Sequence, residues 1–452
     1  MKTVFVVGAG PAGLFAAQKV AQAGHRVVIF NRDIKPGGLA EYGIYPTKDK
    51  MKNGLRKQFA KILELPNVTY LGHVPVGEGR PLSLGELADW NPAAMVFAVG
   101  AQGTKKLGLP GEDARGVYAS KDFVYHYNQL PPYATQDFST GKRVCIIGMG
   151  NVMVDIARWL LVDDPAARAE EVTVIARRGP FEVKFDEKEF EHIEMFLDCR
   201  ALQDELQRVK DRIAAVGQDI AKVPDVSFPS LARPWREPPG KRLTFRFLSS
   251  PAAIRADAAG RICQLTVTEN LLVLRDGNTA AKATDQTTDL EFDTLIFAIG
   301  DLADPTIGLP YEKGAYVTNP DRADPERAAY EVFDPQTGKV LEGRYVVGWA
   351  RKASEGLVGI ARRDGEQGAA HVLKYLEAAP ERATPAVEEI QAALHRRGVL
   401  GVTQHDLPFL AQAEEKQARQ RGLPRFKFST NEEMLSAIEE EKRKGLSQAA
   451  AD

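Results

Sequence analysis

Apolar residues recur along this chain in the same rhythm twice. Strand Thr3–Val7 carries a continuous apolar run, Val4–Val7, that breaks at Gly8, and apolar positions then recur at helical spacing to about Ala23. Val27–Phe30 is apolar again, with Arg26–Phe30 the second strand, so the pattern predicts strand, turn, helix and strand, one parallel βαβ unit. The order returns mid-chain: Lys142–Ile147 predicts a strand, Gly148–Met153 a turn, the stretch to Leu160 a helix, and Val172–Ala176 the next strand. Farther on, Leu202–Lys222 predicts a charged helix with apolar Leu206, Val209, Ile213 and Val216, followed by the Pro- and Arg-rich loop FPSLARPWREPPGKR. Pro385–Arg397 and Leu407–Arg421 predict helices, and the chain closes on a solvated EEEKRK run and a frayed alanine terminus.

The two turns carry the chemistry. In Gly8-Ala9-Gly10-Pro11-Ala12-Gly13, the first glycine makes the tight turn, the second lets backbone approach a pyrophosphate, and the third lets helix and strand pack closely. The second turn, Gly148-Met149-Gly150-Asn151-Val152-Met153, fills the first two roles, whereas Met153 is expected to hold its helix farther from the strand. A carboxylate normally ends the second strand and bonds the ribose hydroxyls. Here Asn31 stands there, without the charge-assisted part of that bond, worth about 1 kcal/mol. Asn31→Glu is therefore expected to tighten the nucleotide, unless Asp33 already substitutes. After the second turn the strand runs into Arg177-Arg178. Two arginines can simply solvate a strand end, but behind a glycine turn they suit a ribose 2′-phosphate, which an acid would repel. One prosthetic and one diffusible dinucleotide together make an electron relay.

Composition narrows the rest. The 452 residues leave room for two or three domains, and 44% hydrophobic with 27% charged content is ordinary for a globular enzyme. A net charge of -2 gives no overall field toward nucleic acid or an anionic membrane. Cys145, Cys199 and Cys263 form no CxxC, which argues against a disulfide framework, a metal site, a redox dithiol, or an iron–sulfur cluster held by this chain. No apolar run approaches the length of a membrane span, about 20 residues. Val4–Val7 is too short for a signal-peptide core, and the first strand starts beside the initiator Met, so a cytoplasmic location is expected.

Further segments point to a family. Phe97-Ala-Val-Gly100 and Phe292–Asp301 resemble the strand-to-linker motifs of flavoproteins with two dinucleotide-binding domains. Leu107–Pro131, Gly148–Leu161, Arg177–Phe190, Gly348–Gly359 and Arg421–Ile438 together resemble the adrenodoxin reductase family of FAD-dependent ferredoxin–NADP reductases, over almost the whole chain. The resemblance implies an α/β fold of two Rossmann-like domains, with an NADP domain (105–327) inserted into an FAD domain (1–104 and 328–452). It implies FAD along Gly8, Gly10, Pro11, Ala12, Gly13, Asn31, Leu39, Trp349, Gly356, Leu357 and Val358. NADP(H) would contact Met149, Gly150, Asn151, Val152, Arg177, Arg178 and Glu189, with Gly356 where nicotinamide meets flavin. Asn31 replaces the family's ribose-binding Glu, Met153 its small residue, and Lys48 a His near the flavin, in a position to face Asp155. The segment Arg351–Glu355 also differs from the family's usual sequence.

The implied activity is electron transfer between NADP(H) and a one-electron carrier through FAD, with no side-chain acid or base required. The partner would be ferredoxin, another small acidic iron–sulfur protein or a flavodoxin. Arg233, Arg236, Lys241 and Arg242, with Arg351, Lys352, Arg362 and Arg363, are candidate docking cations, although such charges often only solvate a surface. Two other readings stand beside this one. GGLAEYGIYPTK is also reminiscent of the small subunit of glutamate synthase and of transhydrogenase-like electron-input subunits, and a dinucleotide-binding flavoprotein without turnover would accommodate Asn31 and Met153.

Overall fold

The computed structural model describes residues 1–234, 237–353 and 356–449, so Arg236, Glu355 and the last three residues lie outside it. The chain divides into two units. Met1–Thr104, Tyr127–Thr135 and Gly300–Asp452 form the first; Lys105–His126 and Gln136–Ile299 form the second.

In the first unit, five parallel strands run in the order Lys339–Val346, Ala94–Phe97, Thr3–Val7, Arg26–Phe30, Val68–Gly72. Antiparallel Glu331–Asp334 and Val402–Thr403 close its edges. Val4, Phe5 and Val6 are fully buried, which is why this strand reads as unbroken apolar sequence rather than an alternation. Each such side chain contributes about 1.5–3 kcal/mol by leaving water. Helices Pro11–Gln22 and Val358–Ala378 cover one face; Ile307, Leu309, Tyr316, Ile390 and Leu394 pack against the other. The return to the first unit therefore comes at Gly300, earlier than the expected 328. Asp301–Leu302 pairs with Gly103–Thr104, and Ala303, Ile307, Leu309 and Tyr316 join the first unit's core.

The second unit holds a five-stranded parallel sheet in the order Val117–Ala119, Thr294–Phe297, Arg143–Ile147, Glu171–Ile175, Arg242–Arg246. An antiparallel sheet of Ser249–Ala256, Ile262–Arg275 and Asn278–Glu291 follows. The charged helix is shorter than its periodicity suggested. It spans Cys199–Ala214, starts where Asp198 accepts the Ala201 N–H, and stops before Gly217 at φ +81°. At the C-terminus, EEEKRK belongs to helix Asn431–Ala449, and Glu441 is buried rather than solvated, 3.5 Å from Lys416 and 2.9 Å from Lys444. Among the described residues no helix is long and apolar enough to cross a membrane.

Candidate functional site

At the first turn the three glycines do different work. Gly8 has φ +102°, and a Cβ there would stand 2.5 Å from the Ala98 carbonyl oxygen. A Cβ on Gly13 would strike the Gly8 carbonyl, so helix and strand touch through bare backbone. Gly10 has nothing within 4 Å of where a Cβ would be, and it starts helix Pro11–Gln22 without any side-chain cap. Open space over an uncapped helix N-terminus is what a pyrophosphate needs. Leu39 is brought here because the Gly37 N–H donates to the Ala9 carbonyl at 2.7 Å. Trp349 is half-buried on the turn Gly348–Ala350, where a Gly348 Cβ would stand 2.6 Å from the Ala12 Cβ. The carboxylate of Asp364 pins this turn by accepting the Gly348 N–H at 2.5 Å while pairing with Arg351. Gly356 and Leu357 are exposed ahead of helix Val358–Ala378, which also begins without a side-chain cap.

Asn31 is only 6% exposed, and its amide is occupied by the protein. Its Oδ1 accepts the Ala9 N–H at 2.9 Å; its Nδ2 donates to the carbonyls of Asp33 at 2.8 Å and Lys35 at 3.2 Å and to the Tyr70 hydroxyl at 3.1 Å. These bonds brace the glycine turn from behind. Asp33 is paired with Arg32, Oδ1 to Nε, at 2.9 Å.

The second turn repeats the first. Gly148 has φ +120°, a Cβ on it would strike the Ala298 carbonyl, and Gly150 has open space and heads helix Asn151–Arg158 without a side-chain cap. Met153 is fully buried. The stretch Lys184–Asp186 lies along this turn: the Lys184 N–H donates to the Met149 carbonyl at 2.9 Å and the Asp186 N–H to the Asn151 Oδ1 at 2.7 Å. Val152 is exposed, and Glu189 sits half-buried on helix Glu187–Phe190. Arg177 is exposed and Arg178 half-buried, and among the described residues neither guanidinium has a carboxylate partner.

A model of the pyridine nucleotide-disulphide oxidoreductases matches residues 2–198. The chain is 32% identical over 399 residues to the NADPH-ferredoxin reductase FprA of Mycobacterium leprae, covering 80% of this chain and 81% of the relative. The chain belongs to the adrenodoxin reductase family of ferredoxin–NADP reductases. The mitochondrial NADPH:adrenodoxin oxidoreductase of Bos taurus is 29% identical over 471 residues, covering 96% of this chain and 92% of that one. The structure of Mycobacterium tuberculosis FprA in complex with NADPH superposes with a TM-score of 0.80 at 28% identity, covering 97% and 99% of the two chains.

Lys48 directly precedes helix Asp49–Leu63 in the first unit, whereas Asp155 lies on helix Asn151–Arg158 of the second. Most of the expected docking cations have internal partners. Arg233 pairs with Glu194 at 2.8 Å and Arg242 with Glu171 at 3.0 Å, while Lys241 donates to the Leu160 and Leu161 carbonyls at 3.1 Å. Arg351 lies over the Tyr330 ring, and Arg362 pairs with Glu366 at 2.9 Å. Lys352 and Arg363 are exposed.

A buried charge network beside the Gly37–Leu39 turn escaped the sequence reading. Glu41, 4% exposed, takes a two-pronged Arg56 at 2.7 Å and Lys427 at 2.8 Å. Burial alone would raise its carboxyl; the Lys427 charge and the Arg56 bonds outweigh that and hold it far below the usual carboxylate range. Lys427 also donates to the Asn128 carbonyl at 3.2 Å, and buried Lys52 donates to the Asn128 Oδ1 at 2.9 Å. Desolvation, helped by the nearby Lys427, lowers Lys52 to about 7. The network ties residues 127–135 to the first unit.

Proposed function

We propose that this chain is an FAD-dependent NADPH:ferredoxin oxidoreductase. The observation that carries the reading is the second glycine turn, whose next strand delivers two arginines that have no carboxylate partner among the described residues, within a chain of this family that has a second such turn. Both turns fit a dinucleotide: each offers an uncapped helix N-terminus beside a glycine with no neighbour where its Cβ would be.

FAD, when bound, takes electrons in pairs and releases them singly, which converts a nicotinamide donor into a one-electron source. The chain's task is to bind and orient. Gly8 to Gly13 would take the FAD pyrophosphate, with Leu39, Trp349 and Gly356 to Val358 along the cofactor. Asn31 acts behind this loop. Met149 to Val152 would take the NADP pyrophosphate, Arg177 and Arg178 its 2′-phosphate, and Glu189 would lie near the same nucleotide. No proton relay is called for, because placing the donor against its acceptor supplies most of the acceleration. The partner is a small acidic iron–sulfur protein of the ferredoxin type, with flavodoxin as the other carrier of that role. The expected location is the cytoplasm.

The test is anaerobic titration with NADPH and then NADH, followed at the flavin absorption bands, before ferredoxin or flavodoxin is added. Bleaching by NADPH and onward reduction of ferredoxin are expected. A flavin that NADPH does not bleach would overturn the reading.

A further inference from the structure

The turn carrying Arg177 and Arg178 is held from behind by a residue of the antiparallel sheet. Strand Ile262–Arg275 loses register with its neighbour between Thr268 and Asn270. At this bulge Asn270 is buried, 1% exposed, and its Nδ2 donates to the Arg177 carbonyl at 3.0 Å and to the Ser250 Oγ at 2.8 Å. Its own N–H donates to the Leu248 carbonyl at 2.7 Å, and the Leu248 N–H in turn reaches the Arg178 carbonyl at 3.2 Å. Both arginines are thus fixed through backbone, while among the described residues no carboxylate pairs with their side chains.

The surroundings keep it so. Glu182 accepts the Gly179 N–H at 2.8 Å and is itself held by Gln218 and Thr279 at 2.8 and 2.9 Å. Glu269, next to Asn270, is enclosed by Arg208 at 2.7 Å, Arg212 at 2.8 Å and Arg246 at 2.5 Å, so its charge is matched locally. A carboxamide is the side chain this place requires. It offers two donors to two acceptors, whereas a carboxylate would face a carbonyl oxygen with no proton to share.

We propose that Asn270 is a positioning residue for recognition of the ribose 2′-phosphate: it anchors the Arg177 carbonyl and so sets the backbone from which both guanidiniums reach. The proposal rests on the reading of Arg177 and Arg178 given above. Bidentate contacts depend on where the guanidinium stem begins, so a loosened turn loses phosphate affinity before it loses anything else.

The experiment is calorimetric binding of 2′,5′-ADP and of 5′-ADP to the purified flavoprotein and to Asn270→Ala, Asn270→Asp and Ser250→Ala. Asn270→Ala is expected to weaken 2′,5′-ADP by roughly tenfold and to leave 5′-ADP within about twofold. Asn270→Asp should weaken it further, and Ser250→Ala less. A merely structural role would lower both ligands together, and that result, or an unchanged 2′,5′-ADP affinity, overturns the proposal. Should Asn270→Ala fail to fold, Ser250→Ala decides: a selective loss supports the anchor, and none refutes it. An Arg177→Ala/Arg178→Ala control separates the two layers. If it keeps 2′,5′-ADP affinity, the NADP assignment itself falls; if it loses affinity while the Asn270 and Ser250 variants do not, only the anchoring role falls.

Discussion

The Oδ1 of Asn31 accepts the N–H of Ala9, inside the first glycine turn, at 2.9 Å. With the Nδ2 of the same residue donating to the Asp33 and Lys35 carbonyls, position 31 needs a donor and an acceptor together. Asn31→Glu, expected from sequence to tighten the cofactor, should therefore loosen it. A carboxylate there faces two carbonyl oxygens and leaves buried acceptors unmatched, at a cost of about 1–3 kcal/mol. Thermal release of flavin, read as the rise in its fluorescence, is expected several degrees earlier in the variant; a later release would return Asn31 to ribose binding.

Arg177→Ala/Arg178→Ala should abolish the preference for NADPH. Losing charge-assisted contacts to phosphate costs about 1.5–3 kcal/mol each, so losing two should lower kcat/KM for NADPH by roughly 100-fold or more. The value for NADH should barely move. Steady-state rates with both nucleotides and an artificial acceptor measure this directly, and an unchanged ratio would contradict it.

Lys52 gives stability a pH dependence of known sign. Its folded pKa is lowered to about 7 from 10.5 by desolvation, with Lys427 adding to the effect. Between those values the unfolded chain holds a proton that the folded protein has released, so this residue makes stability rise with pH from about 7 to 10, and its penalty is fully present below 7. Urea unfolding across that range should show the rise in the parent. Lys52→Met should lose that component and gain most relative to the parent at the acid end.

Glu41→Gln should be among the most damaging single substitutions, costing about 3–5 kcal/mol, because it leaves Arg56 and Lys427 without their buried counter-charge. Lys427→Met with Glu41→Gln should recover part of the loss. Denaturation midpoints of the two single variants and the double variant measure the coupling, and simple additivity would refute it.

Reversing Arg233 or Arg242 should change partner association little. Each already has a carboxylate partner within its own unit, so reversal exchanges an exposed pair for a repulsion worth about 1 kcal/mol or less. Stopped-flow reduction of ferredoxin across ionic strength should keep its salt dependence in both variants.

What the sequence disclosed follows the range of the forces involved. The glycine turns were readable because a positive φ at Gly8 and a close approach at Gly13 are imposed by residues within one βαβ unit. The arginine pair was readable because it directly follows its strand. The use of Asn31 was not, since its partners include Tyr70, on a strand Asn31 meets only after folding. Neither was the Glu41–Lys427 pair, 386 positions apart, nor the bulge at Asn270, which no local periodicity encodes. The return at Gly300 was hidden for the same reason: its cause is a two-residue pairing with Gly103–Thr104.

The pairing of Glu41 with Lys427 also sets an order of assembly. A ribosome delivers the glycine turn, its helix and then Glu41, 386 residues before it supplies the ammonium of Lys427. Until then Glu41 lacks its Lys427 counter-charge, and the Lys427 contact to the Asn128 carbonyl is missing from the 127–135 segment. The second unit, finished by Ile299, has every residue it needs much earlier. The nascent chain would thus carry a completed nucleotide-binding unit in its middle while its first unit waits, and a message broken shortly before codon 427 would yield a protein with one sound unit and one open one.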